Sequence, residues 1–123
     1  MGELWSQDEG FALSQNLLQA HPKVNIIFAQ ADALALGAAQ PVKAAHPGHR
    51  IIAGGFDGDT AALVALKDGV FEVTATQQTQ KMGRLGLDAA IAIVGGQKLP
   101  AEQLQDATLT IKENVEGFIA KHP

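Results

Sequence analysis

The chain has 123 residues, is 46% hydrophobic and 18% charged, and carries a net charge of −4 from 9 basic and 13 acidic side chains. That length supports one domain around one core, the balance is an ordinary globular one, and the lack of a basic stripe argues against a nucleic-acid partner. Cysteine is absent, which excludes disulfides and thiol catalysis, and no apolar run reaches the length that spans a bilayer.

The first residues, "MGELWSQDEG", have neither the basic start nor the apolar middle of a signal peptide, so the chain is expected to stay where it is made unless a leader was removed. Ser6-Gln7-Asp8-Glu9 has the S-x-x-E form of a capping box and predicts a helix from about Gln7, with Leu13 and Leu17 sharing its face and Pro22 ending it. "VNIIFA" (24–29) is short, apolar and β-branched, and predicts a buried strand. Asp32 can cap the next helix, on which Leu34, Ala38 and Val42 share a face; Pro41 should bend or shorten it. "HPGH" (46–49) predicts a turn, and "RIIAGGF" (50–56) a second strand. "TAALVALKDG" (60–69) predicts a helix closed by a glycine, and "VFEVTAT" (70–76) a third strand. Thr79 is expected to cap a long helix ended by Gly95-Gly96. Met82, Leu85, Ala89 and Ile93 line one side of it and Leu87, Ile91 and Val94 another, which predicts a well-buried helix. "ATLTIK" (107–112) predicts a last strand and "NVEGFIA" a short helix.

Strands separated by helices imply an α/β fold of three layers: a mostly parallel sheet with helices on both faces. Ligands of such sheets bind at the C-terminal ends of the strands. Those ends carry Gln30-Ala31-Asp32, Phe56-Asp57 and Gln77-Gln78.

Asp57 is therefore the first candidate. A carboxylate accepts several hydrogen bonds and can take two neighbouring sugar hydroxyls. Phe56 and Trp5 can offer flat apolar surface to the C–H face of a sugar ring, and Gln77 offers both a donor and an acceptor. Each has a plainer reading. Asp57 can be only a helix cap, Phe56 a core residue, Trp5 an exposed aromatic near the chain start, and Gln77 a solvated loop residue. "GGFDG" and "VGGQK" lack the spacing or placement of a phosphate loop. The four histidines (His21, His46, His49 and His122) are scattered and predict no metal site. No G-x-S-x-G nucleophile motif is present, and no cofactor is expected.

In order and spacing these segments resemble the C-terminal part of the periplasmic sugar-binding proteins of the ribose-binding type. "LWSQDEGFALSQNLLQAHPKVNIIFAQADALALGA" resembles that family's aromatic-then-acidic stretch, its helix ending in "AHP", its strand and its "ND-x-x-ALGA" helix. "IIAGGFDG" resembles its "GFDG" strand end, "VTATQQTQKMGRLGLDAA" its "ATxxQ" strand and helix, and "LTIKENVEGF" its ending. The resemblance implies a non-enzymatic binding component of an ABC-type sugar importer, working with a membrane permease in the periplasm. It matches Trp5 to an aromatic that packs on the sugar, Phe56 to the aromatic beside the acid, and Asp57 and Gln77 to the groups that bind hydroxyls. The family's ligand-binding Asn falls on Ala31, and the lost amide is expected to cost about 1–3 kcal/mol in a dry site.

Family members have two lobes that close on the ligand. The resemblance implies that residues 1–123 form a single partial lobe, the later part of the second one, ending in a hinge-crossing segment from about residue 105. The strands expected in the middle of its sheet would precede Met1-Gly2. A sheet without them exposes edges and apolar surface, so a homodimer or an exchange of elements between copies is expected.

Two other protein classes share parts of this pattern. The effector domains of lactose-repressor-like regulators share the architecture, but they usually carry a DNA-binding head and tend to read "GFDD". A phospho-accepting receiver domain would need an acidic pair at the end of an earlier strand to hold Mg²⁺, whereas Asp8 and Glu9 precede a helix.

Overall fold

A computed structural model describes residues 4–45 and 48–122. Met1-Gly2 and the first half of the expected 46–49 turn lie outside the described residues.

Helix α1 (Gln7–Ala20) starts as its capping box predicts: the Ser6 hydroxyl accepts from the Glu9 N–H at 3.3 Å. The Glu9 carboxylate, however, takes the Leu4 N–H at 3.0 Å rather than that of Ser6. Its buried residues are Gly10 and Ser14, not the expected leucines; Leu13 and Leu17 are exposed. The reason lies in α2 (Asp32–Ala45), which crosses α1 backbone to backbone. A Cβ on Gly10 would sit 2.2 Å from the Leu34 carbonyl oxygen, and one on Gly37 2.0 Å from that of Gln7. Only the small side of α1 can approach so closely. Pro41 is buried within α2 and does not shorten it, since the helix continues to Ala45.

Strands β1 (Ile26–Phe28), β2 (Ile52–Asp57), β3 (Val73–Thr76) and β4 (Thr108–Ile111) form one sheet in the order β1-β2-β3-β4. The first two pairings are parallel and the last is antiparallel, so the sheet is mostly parallel as expected. Helices α3 (Thr60–Lys67), α4 (Thr79–Val94) and α5 (Val115–Ala120) complete the chain. Gly69 closes α3 at φ +75°, as its sequence predicted.

The α/β class holds, but the three layers are met fully on one side only. Side chains alternate across the strands. Ala53 and Gly55 of β2, Thr74 and Thr76 of β3 and Thr110 of β4 are all buried on one face. There Ala35 and Ala39 of α2, Leu63 and Leu66 of α3, Phe71 and Val115 of α5 close the core. Each of Leu63, Leu66 and Phe71 is almost wholly removed from water, worth roughly 1.5–3 kcal/mol apiece. The opposite face carries Ile26, Phe28 and Leu109, all more than half exposed.

Helix α4 also departs from expectation. None of its residues is buried, and Leu87, Ile91, Ile93 and Val94 are all at least 60% exposed. It makes no extensive packing with any other described element. Its apolar girth predicts burial, but apolarity says only that a surface wants cover, not that cover is present. Nor does Thr79 cap it: Thr79 is its first helical residue, and the N-cap is Gln78.

Candidate functional site

Strand β2 ends in an unusual conformation. Asp57 has φ +128°, a region that L residues rarely adopt, and Gly58 follows at φ +80°. Gly58 is required twice over, because a Cβ there would also lie 2.4 Å from the Thr76 methyl. The pair turns the chain from β2 into α3. Asp57 is not the helix cap; that position is Asp59, whose side chain makes no capping bond. The plainer reading of Asp57 is thus removed.

The Asp57 carboxylate instead meets Gln77, at the end of the adjacent strand. Gln77 Nε2 donates to Asp57 Oδ1 at 2.9 Å, and the Gln77 backbone N–H donates to the Asp57 carbonyl at 2.9 Å. The parallel register sets Asp57 opposite Thr76 and makes this meeting unavoidable. Among the described residues neither Asp57 Oδ2 nor Gln77 Oε1 has a hydrogen-bond partner, so a donor-rich ligand finds two acceptors side by side. Asp57 and Gln77 line a polar cleft of about 320 Å³ with Asp59, Thr60, Thr79 and His122.

Phe56 points to the other side of the sheet. It is half-buried and lines a more apolar trough of about 490 Å³, together with Gln77, Met82, Leu85 and the 100–107 segment. Trp5 is 51% exposed at φ +51°, just before α1, and is not among the residues lining either cavity. Ala31 is buried directly before Asp32. The structure therefore unites Asp57 with Gln77, sets Phe56 beside Gln77 in the trough, and leaves Trp5 and Ala31 outside both cavities.

Several residues escaped the sequence reading. Asp32, expected only as a cap, is fully buried beneath the site. Its Oδ2 accepts from Gly58 N at 2.7 Å and Asp59 N at 2.9 Å, and its Oδ1 accepts from the Thr74 hydroxyl at 2.6 Å. Burial pushes its pKa above the ordinary 3.8, against the opposing pull of these three hydrogen bonds; the nearby Asp57 charge adds to the rise. Thr76 and Thr110 share a buried hydrogen bond of 2.6 Å alongside. The alternation of threonine in "VTAT" was a readable sign that one strand face is polar yet buried. His122 gave no local sign, because it meets Gly58 from 64 positions away. Among the described residues no cluster of His, Cys, Asp and Glu could hold a metal ion, and no helix is long and apolar enough to cross a membrane.

A mostly parallel sheet whose strand ends present a carboxylate and an amide to an open polar cleft has the layout of a small-molecule binding lobe. The chain belongs to the periplasmic binding protein family, whose domain matches residues 1–98. It is 35% identical over 109 residues to the ribose import binding protein of Salmonella typhimurium, covering 89% of this chain and 36% of that protein. It is 36% identical over 95 residues to the ribose import binding protein of Bacillus subtilis, covering 77% of this chain and 30% of that one. The fold superposes on an ABC transporter solute binding protein of Bacillus halodurans with bound myo-inositol. There the TM-score is 0.82 at 29% identity, over 96% of this chain and 41% of the other. A periplasmic solute binding protein of Actinobacillus succinogenes with bound D-allose gives a TM-score of 0.81 at 26% identity, over 92% and 40%. The chain thus spans about a third of the length of the curated relatives it matches. The relatives are import binding proteins, not enzymes or regulators, in line with the leading expectation.

Proposed function

We propose that this chain supplies one wall of the sugar site in the solute-binding component of an ABC-type importer, a periplasmic protein that hands its cargo to a membrane permease. The observation that carries the reading is the Asp57–Gln77 pair. Gln77 holds one carboxylate oxygen and so orients the other toward ligand hydroxyls. The Gln77 amide oxygen accepts a third hydroxyl. Phe56, which lines the neighbouring trough with Gln77, is the platform for the apolar face of the ring, while Trp5 and Ala31 are matched to the site by the family resemblance and line neither cavity. Residues 1–123 act as a single partial lobe, with the segment from about residue 105 as the hinge crossing.

Two charge-assisted hydrogen bonds contribute roughly 1.5–3 kcal/mol each, which places the affinity of such a wall on the order of 1 mM. Pentoses, hexoses and cyclic polyols are the ligand class, in keeping with the ribose, D-allose and myo-inositol of the relatives. The test is an NMR titration of the labelled chain with D-ribose, D-allose and myo-inositol. The amides of Asp57, Gly58 and Gln77 should shift saturably; shifts confined to other regions would sink the proposal.

A second part of the proposal concerns association. The face bearing Ile26, Phe28 and Leu109, flanked by the β1 edge, favours pairing of two copies. Sedimentation velocity should show mass rising with concentration, and a monomer across the whole range would refute it.

A further inference from the structure

The peptide between Gly58 and Asp59 is gripped from both sides. Its N–H, that of Asp59, donates to Asp32 Oδ2 at 2.9 Å, and its carbonyl, Gly58 O, lies 2.8 Å from His122 Nε2. A carbonyl can only accept, so Nε2 carries the proton. In the neutral ring Nδ1 then accepts from the Thr79 hydroxyl, 3.3 Å away. Thr79 opens α4, the helix that is otherwise barely packed against the lobe. Three distant parts of the chain thus converge on one peptide: the start of α2, the residues after α5 and the start of α4.

The convergence falls on a strained point. Asp57 at φ +128° is unfavourable for an L residue and persists only where its neighbours over-determine it. The Asp57–Gly58 peptide is fixed at both ends, its N–H by Asp32 and its carbonyl by the Gln77 N–H, but Asp32 alone would leave the Gly58–Asp59 peptide free to rock about its axis. The second grip, at the carbonyl, stops the rocking. We propose that His122 is a positioning residue for the strand-end site: together with Asp32 it immobilises the Gly58–Asp59 peptide of the turn, and so holds the Asp57 carboxylate in the geometry that Gln77 completes. This rests on the reading of Asp57 as the group that takes ligand hydroxyls. Thr79 couples the same lock to α4, so the placement of that helix and the readiness of Asp57 change together.

The experiment compares the full chain with His122→Ala and His122→Gln, the glutamine side chain restoring an N–H donor at similar reach. Amide hydrogen exchange at Gly58 and Asp59 is read by NMR, with Ile52 in β2 as the control amide, and myo-inositol and D-ribose affinity is measured in parallel. Exchange at Gly58 and Asp59 should quicken roughly tenfold in His122→Ala, with Ile52 unchanged, and return to the wild-type rate in His122→Gln. Sugar affinity should fall about fivefold in the alanine variant and recover in the glutamine variant. Unaltered exchange in His122→Ala, or a glutamine variant that behaves like alanine, overturns the proposal. If the wild-type chain binds neither sugar, the sugar reading fails, and the exchange rates still decide whether His122 positions Asp57.

Discussion

The positive φ at Asp57 makes a quantitative demand on two substitutions. Asp57→Ala and Asp57→Gly both remove the carboxylate and with it the bond from Gln77 Nε2. They differ in one respect. Alanine must still hold φ +128°, whereas glycine adopts it without steric cost. The strain relieved is about 1–3 kcal/mol, and the extra chain entropy that glycine loses on folding is roughly 0.5–1 kcal/mol. Glycine should therefore be more stable than alanine by about 1 kcal/mol, the reverse of the usual order inside a strand. With a urea m-value of about 2 kcal/mol/M, the midpoints should differ by roughly 0.5 M, at equal slope. Both variants should lose sugar binding. Equal midpoints, or a more stable alanine variant, would show that Asp57 carries no backbone strain and that its conformation is not held in place by the surrounding turn.

Gly37→Ala would be expected to stabilise an exposed helix by about 1 kcal/mol; here the new methyl meets the Gln7 carbonyl 2.0 Å away, and a loss of about 2 kcal/mol is expected by urea unfolding. Asp32→Asn keeps an oxygen for the Gly58 and Asp59 N–H groups and an N–H for the Thr74 oxygen, but does not titrate. Because burial raises the folded pKa of Asp32 above 3.8, its proton-linked contribution favours folding below 3.8 and is lost as pH rises through the raised value. The stability of wild type relative to Asp32→Asn should thus decline with rising pH across that window and level off above it; a difference that grows with pH contradicts the burial argument. Phe28→Lys, on the exposed sheet face, should lower any self-association seen by sedimentation velocity while leaving the unfolding free energy within about 0.5 kcal/mol of wild type.

Much of this architecture was legible from local chemistry. The capping box at Ser6, the glycine after α3 and the strand ending in "GFDG" act over a few residues, and the structure places each where its pattern implied. That Asp57 and Gln77 lie at one edge also followed, because parallel neighbours bring successive strand ends together; the hydrogen bond between them did not. What local pattern does not encode is what a surface meets. Leu13 and Leu17 outrank Gly10 and Ser14 in hydrophobicity, yet the contact with α2 selects for closeness of backbones over apolar area. Helix α4 carries apolar residues around much of its girth, yet none is buried among the described residues. Asp32 had a local role open to it as a cap, and its real partners lie on β3 and in the β2–α3 turn. His122 is the extreme case, since only the folded chain brings it to Gly58.

The proposal stands or falls on whether the β2 and β3 ends bind a polyhydroxylated ligand through Asp57 and Gln77. Isothermal titration of the chain with D-ribose, D-allose and myo-inositol, beside Asp57→Ala, tests it most directly. Saturable binding with a Kd on the order of 1 mM, abolished by the substitution, is the predicted result. No heat of binding at tens of millimolar sugar, or binding that survives Asp57→Ala, would contradict it.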